Sequence, residues 1–233
     1  MKKVYLLALL LGLMSSLTVF AQDERTVGLI VNTDDAYEGY VLYSPQRNPE
    51  LFLIDNEARV VNQWTFDSNP REAFMLDNGN IVVLLGLERE ELDTTYMSED
   101  FFNGSTGRII EMNWDGDVVW EYQMIDPKLR SHHGVTVLPN GNMMLIAWSY
   151  RSIDEAIAMG LDAETYGDEH DLVLPDAIIE IDRNTKEIVW QWDTWDHLVQ
   201  NFDPDKPNYG DPADFPGRVD VNYHEQIVKG NLA

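Results

Sequence analysis

From residue 40 onward the chain is written in short apolar runs separated by tight polar turns. Leu-Phe-Leu-Ile-Asp (51–55) is followed by Val-Val-Asn-Gln-Trp (60–64) and by Phe-Met-Leu-Asp-Asn-Gly-Asn-Ile (74–81). The clearest unit spans 107–148. It holds strands at 108–113, 118–124, 134–138 and 143–148, with turns at Asp115-Gly116 and Asn140-Gly141. Asp-Gly and Asn-Gly between β-rich runs are hairpin signals, because both residues tolerate the left-handed backbone of a two-residue turn. A third copy opens with Ala-Ile-Ile-Glu-Ile-Asp (177–182) and continues with Ile-Val-Trp-Gln-Trp (188–192). Trp64, Tyr122 and Trp192 fall at one equivalent position.

This repeat predicts an all-β fold: a β-propeller of four-stranded antiparallel blades at about 40–86 and 107–148, with an incomplete unit at 176–233. A propeller closes with about four to eight blades, so the chain is expected to be an incomplete part of its ring. Two stretches interrupt the repeat. Residues 88–106 are acidic and polar, and 149–174 include Asp-Glu-Ala-Ile-Ala-Met (154–159), which suits a short helix. Loops gathered at one end of such a scaffold are where specificity is built.

Before the repeat stands a different pattern. Lys2 and Lys3 precede an apolar run at 4–14, and the segment ends Val-Phe-Ala at 21. This is the layout of a secretory leader cleaved after Ala21, predicting a secreted or periplasmic protein with no membrane attachment after cleavage; a retained anchor is the alternative reading. The absence of cysteine excludes disulfides, thiolate metal sites and a cysteine nucleophile. A formal net charge of −25, more negative still once the leader's lysines are gone, excludes nucleic acid as a partner and makes any anion site a local basic pocket.

One pair of positions answers to that description. His133 lies eight residues before the turn glycine Gly141, and Arg71 lies eight before Gly79. If this position faces the propeller axis, where equivalent sites converge, Arg71 and His133 would present nitrogen donors to one small volume, with His132 as the alternate histidine. The structural alternative is that the two histidines only bond loop carbonyls. His197 follows Trp195-Asp196 and is a candidate for a substrate-side loop or for a purely structural histidine; His170 and His224 read as surface residues. Asp203, Asp205, Asp211 and Asp214 are hard-oxygen ligands in type, but their spacing matches no calcium loop, and turn formation accounts for them. No metal and no cofactor is predicted.

The ordered set Asp-Ala-Ile-Ile-Glu-Ile-Asp (176–182), Glu-Ile-Val-Trp-Gln-Trp (187–192), Trp-Asp-His-Leu-Val-Gln (195–200), Asn-Tyr-Gly-Asp (208–211) and His-His ahead of Leu-Pro-Asn-Gly-Asn resembles the arylsulfotransferase family over essentially the whole mature chain. The resemblance implies a roughly six-bladed propeller with histidines and an arginine in its channel. It implies transfer of a sulfuryl group from an aryl sulfate to a phenol through a sulfated histidine, without a nucleotide donor. On this resemblance His133, or His132, binds or polarises the sulfuryl group, while the nucleophilic histidine belongs to later blades beyond Ala233. The 233-residue chain by itself is then expected to show little activity. A non-catalytic propeller that captures a ligand or partner is the competing reading, since fold alone does not separate the two. A quinone-dependent dehydrogenase propeller is disfavoured by the missing cysteine pair.

Overall fold

The computed structural model describes residues 28–87, 95–96, 105–166 and 172–223; the leader predicted at 1–21, most of the 88–106 stretch, His170 and His224 lie outside them. Three antiparallel sheets dominate. The first joins β1 (Tyr40–Tyr43), β2 (Glu50–Asp55) and β3 (Val60–Thr65). The second runs in chain order through β4 (Pro70–Met75), β5 (Ile81–Leu85), β6 (Arg108–Met112) and β7 (Val118–Gln123). The third begins with β8 (Leu129–Val137) and β9 (Met143–Ser149). After β9 the chain makes β10 (Arg151–Ser152), α1 (Ile153–Ala158), α2 (Ala163–Tyr166) and β11 (Leu172–Val173). It then returns to the third sheet as β12 (Asp176–Ile181) and β13 (Ile188–Asp193), giving the order β8-β9-β12-β13. Parallel pairing among the described residues is confined to the 198–220 loop, where β14 (Leu198–Val199) meets β15 (Val219–Asp220) and Gln200 bridges Tyr209.

The repeat is visible in the register, in a phase different from the sequence unit. The two hairpins of 107–148 divide between sheets: β6 and β7 complete the second, β8 and β9 begin the third. The stretches at 88–106 and 149–174 fall within sheets, each joining the second strand of its sheet to the third. Turn signals fix the partner within a hairpin but not which hairpins share a sheet, and this is why units at 40–86 and 107–148 do not coincide with sheets at 70–123 and 129–193. The equivalence of Trp64, Tyr122 and Trp192 holds: they pair with Leu51, Ile109 and Ile178. One bulge recurs on the next-to-last strand of each sheet, between Leu53 and Ile54, Glu111 and Met112, and Glu180 and Ile181.

The sheets pack face to face. Ile81, Val83 and Leu85 of β5 join Leu51, Leu53, Trp64, Ile110 and Met112 in a core shared with the first sheet. Val82 and Leu84, on the opposite face of the same strand, join Val135, Met143, Leu145, Ile179 and Ile181 of the third. A strand buried on both faces has no reason to alternate, and β5 reads Ile-Val-Val-Leu-Leu, all buried. β9 alternates instead, with Met143, Leu145, Ala147 and Ser149 buried and the residues between them half-covered.

Polar links repeat alongside the apolar ones. Trp64 donates its indole N–H to the Trp114 carbonyl at 3.0 Å, and Trp120 donates to the Arg183 carbonyl at 2.7 Å, each reaching a turn of the next sheet. Asn80 donates to Glu111 at 2.6 Å and Asn142 to Glu180 at 2.7 Å, tying each Asn-Gly-Asn turn to the neighbouring strand. The hydrogen bonds from Asn142 and then Asn140 hold the Glu180 carboxyl below the usual glutamate range. Glu111 also pairs with Arg183 of the next sheet at 2.6 Å, and only 2 % of it is exposed.

The predicted helix is present at 153–158, capped by Ser152 and Glu155 in a reciprocal box. It ends in a left-handed glycine, Gly160 (φ +93°), with Gly160 N–H donating to the Ile157 carbonyl and Leu161 N–H to that of Ala156. A Cβ on Gly160 would sit 2.6 Å from Cγ of Gln200. Gln200 is fully buried and organises the following loop, donating to the Asp203 and Pro207 carbonyls and accepting from the Phe202 and Asp203 amides. Gly160→Ala is therefore expected to destabilise the protein by about 2–3 kcal/mol, from backbone strain plus overpacking, read as a lower urea midpoint. In the same loop Asp203 and Asp211 accept the Asp205 and Ala213 amides, as turn-forming aspartates do.

Candidate functional site

The first strands of the second and third sheets carry the predicted residues, and both strands are broken at the predicted place. In β4 the register jumps from Pro70 to Glu72, leaving Arg71 as the bulged residue. In β8 it jumps from His132 to Val135, leaving His133 and Gly134 unmatched. Bulges re-aim side chains without ending a strand. His133 holds φ +55°, a left-handed conformation that costs a residue with a Cβ about 1–2 kcal/mol. The side chain it presents is exposed, as is that of Arg71. The two strands meet: Glu72 accepts a hydrogen bond from the Val135 amide at 3.0 Å, joining the residue after one bulge to the residue after the other. Among the described residues the Arg71 guanidinium has no hydrogen-bond or ion-pair partner, whereas Arg59, Arg108, Arg151 and Arg183 are all paired to carboxylates.

His132 is set differently from its neighbour. It is buried, 5 % exposed, and lies flat on Trp148 with ring centroids 4.3 Å apart and planes at 19°. Its Nε2 is 3.1 Å from Oδ1 of Asp176, and its Nδ1 is 2.8 Å from Nδ1 of His133. The strand order makes this possible: Trp148 on β9 pairs with Arg130 of β8 on one side and with Asp176 of β12 on the other, so the carboxylate reaches across the indole to the imidazole. The end of the 88–106 stretch closes over the same strand. Ser105 bridges His132, and Thr106 bonds Ser131 through its amide at 2.9 Å and its hydroxyl at 3.1 Å.

His197 stands elsewhere. It ends a turn of 3-10 helix (Thr194–His197) and stacks on Trp192 at 4.8 Å. Trp192 is on β13, three strands from β8, roughly 14 Å by ordinary strand spacing. The structure therefore separates His197 from the histidine pair and gives it a ring-stacked position beside the buried Asp193, which accepts from Ser149, Arg151 and the Trp195 amide. Sequence reasoning missed Asp176, Trp148, Glu72 and the buried Arg130. Asp176 and Trp148 were visible as strand residues, but their meeting with His132 depends on strand order.

The arrangement presents two nitrogen-bearing side chains, Arg71 and His133, from adjoining strands of an otherwise acidic protein. One imidazole is exposed and the other is buried and carboxylate-linked. A guanidinium can hold anionic oxygens, and an exposed imidazole can carry a proton or attack an electrophile.

No curated protein matches the chain. A solved structure described as a protein of unknown function from Bacteroides caccae is similar to it at 10 % identity with a TM-score of 0.38; the match covers 68 % of this chain, which spans only 41 % of that one. The family model described as arylsulfotransferase (ASST) matches residues 44–220, every strand from β2 to β15 with the histidine pair and Asp176 among them, and the chain belongs to the arylsulfotransferase family.

Proposed function

We propose that the three sheets are blades of a roughly six-bladed propeller, that β4 and β8 line its channel, and that the protein moves a sulfuryl group from an aryl sulfate to a phenol outside the cytoplasm. Family membership supports the chemistry, and the leader supports the compartment. The observation that carries the site is the bulge in each of two adjoining strands, one exposing an unpaired Arg71 and the other a strained His133. Strain of this kind gathers at functional positions.

In the proposed reaction a histidine nitrogen forms a bond to sulfur as the bond to the departing phenolate oxygen breaks, and that phenolate takes up a proton. The acceptor phenol oxygen then attacks sulfur, the nitrogen–sulfur bond breaks, and the phenol proton passes to a base. Arg71 holds the sulfuryl oxygens as negative charge spreads over them, and His133 meets the group from the other strand, with His132 behind it. His197, remote from the pair, steadies the 194–200 loop. The partners are small phenolic molecules, and the reaction needs no cofactor.

A nitrophenyl sulfate tests the reading. The complete gene product should release nitrophenolate only when an acceptor phenol is present. Saturable binding without release would instead support a binding propeller, and release without acceptor would make the protein a sulfatase.

A further inference from the structure

The two contacts of His132 fix more than its own orientation. A carboxylate only accepts hydrogen bonds, so the His132 Nε2 that lies 3.1 Å from Asp176 carries a proton. A neutral imidazole has one N–H, which leaves a lone pair on His132 Nδ1. That lone pair faces His133 Nδ1 at 2.8 Å. Two lone pairs do not meet at such a distance, so His133 Nδ1 is the donor.

We propose that Asp176 and His132 are positioning residues that lock the proton of His133 on Nδ1 and leave its Nε2 lone pair open to the substrate. With His132 neutral, the tautomer follows from the two contacts; its use in sulfuryl transfer rests on the function proposed above. The lock is well built at its centre and adjustable at its end. His132 is buried and stacked on Trp148, so its plane cannot turn, while the Asp176 side chain is 61 % exposed. Screening by water makes the energetic worth of an exposed contact small, but selecting a tautomer requires direction rather than a large energy. Glu72, the β4 carboxylate that meets β8, is engaged by the Val135 amide.

The consequence is a specific role. A neutral His133 locked in this way accepts a proton at Nε2 and does not donate one. It takes the proton of the acceptor phenol as the new oxygen–sulfur bond forms. The resulting imidazolium keeps Nδ1–H on His132 and gives the Nε2 proton back to a departing phenolate. His133 is then the acid and base of the site, and Arg71 the fixed donor to the sulfuryl oxygens.

Nitrogen-15 labelling of the histidines, with long-range proton correlation, reads the tautomers directly. At a pH where both rings are neutral, His132 should show Nε2–H and His133 Nδ1–H. Asp176→Ala should move His133 toward the Nε2–H form that a free imidazole side chain prefers, and Asp176→Glu should restore the native pattern. The amide spectrum serves as the check that the fold is kept. A wild-type His133 protonated on Nε2, or a His133 tautomer unmoved by Asp176→Ala, would overturn the proposal. In the complete gene product Asp176→Ala should also lower kcat by about tenfold or more, as loss of an orienting partner does. If the tautomer moves while turnover stays the same, the lock stands and it is the role of His133 in sulfuryl transfer that fails.

Discussion

Replacing His133 with glycine or alanine is expected to lower aryl sulfate turnover by about a hundred- to a thousandfold, the usual effect of removing a positioned general acid and base. The same substitutions should change stability little. His133 is exposed, sits in a bulge and contributes nothing to either core. Its φ of +55° is strained for histidine and alanine alike and relaxed for glycine. His133→Gly should therefore leave stability within about 1 kcal/mol of the native protein, the relief of strain being offset by glycine's greater freedom in the unfolded chain and by loss of the hydrogen bond to the buried His132. A variant that is inactive and little changed in stability is what a functional residue held in an unfavourable conformation produces. Parallel measurement of turnover and urea midpoint checks both halves. A residue that merely bonded a loop would lose stability and keep activity.

Glu111→Ala is expected to destabilise the protein by about 2–3 kcal/mol, since the carboxylate is buried but its partner Arg183 keeps 29 % of its side chain exposed. The carboxylate is 2 % exposed and binds Asn80 of its own sheet and Arg183 of the next. Removing it leaves Arg183 without its carboxylate and the Asn80 amide without its acceptor. The equivalent residue in the third sheet, Glu180, has the asparagine contacts and no arginine among the described residues, and it is only half-buried. Glu180→Ala should cost clearly less, about 1 kcal/mol. Urea unfolding of the two variants side by side measures the difference. Equal losses would mean that the inter-sheet ion pair contributes nothing beyond the turn contact.

The sequence was informative wherever the physics was local. Asn-Gly and Asp-Gly turns placed the hairpins, and counting back from Gly79 and Gly141 found both bulged residues before any bulge was visible. The helix at 153–158 could have been placed more sharply from Ser152 and Glu155, three residues apart in the pattern of a capping box. What escaped was set by contacts between distant segments. The unbroken apolar run of β5 held a clue that both its faces are covered, but which hairpins share its sheet depends on packing between sheets. Asp176 stood in a readable strand, yet its meeting with His132 requires β9 to lie between their strands and Trp148 to support both. Glu111 reads as an ordinary exposed glutamate of a β-strand until Arg183 of the next sheet is placed over it.

The fate of the sulfuryl group is the most direct test of the account. The complete gene product is incubated with an aryl sulfate carrying isotopically labelled sulfur and with a second phenol, and the products are separated. Label in the sulfate ester of the second phenol, largely abolished by His133→Ala, is the predicted result. Label released as inorganic sulfate, or retained wholly in the donor while the aryl sulfate binds, would contradict it.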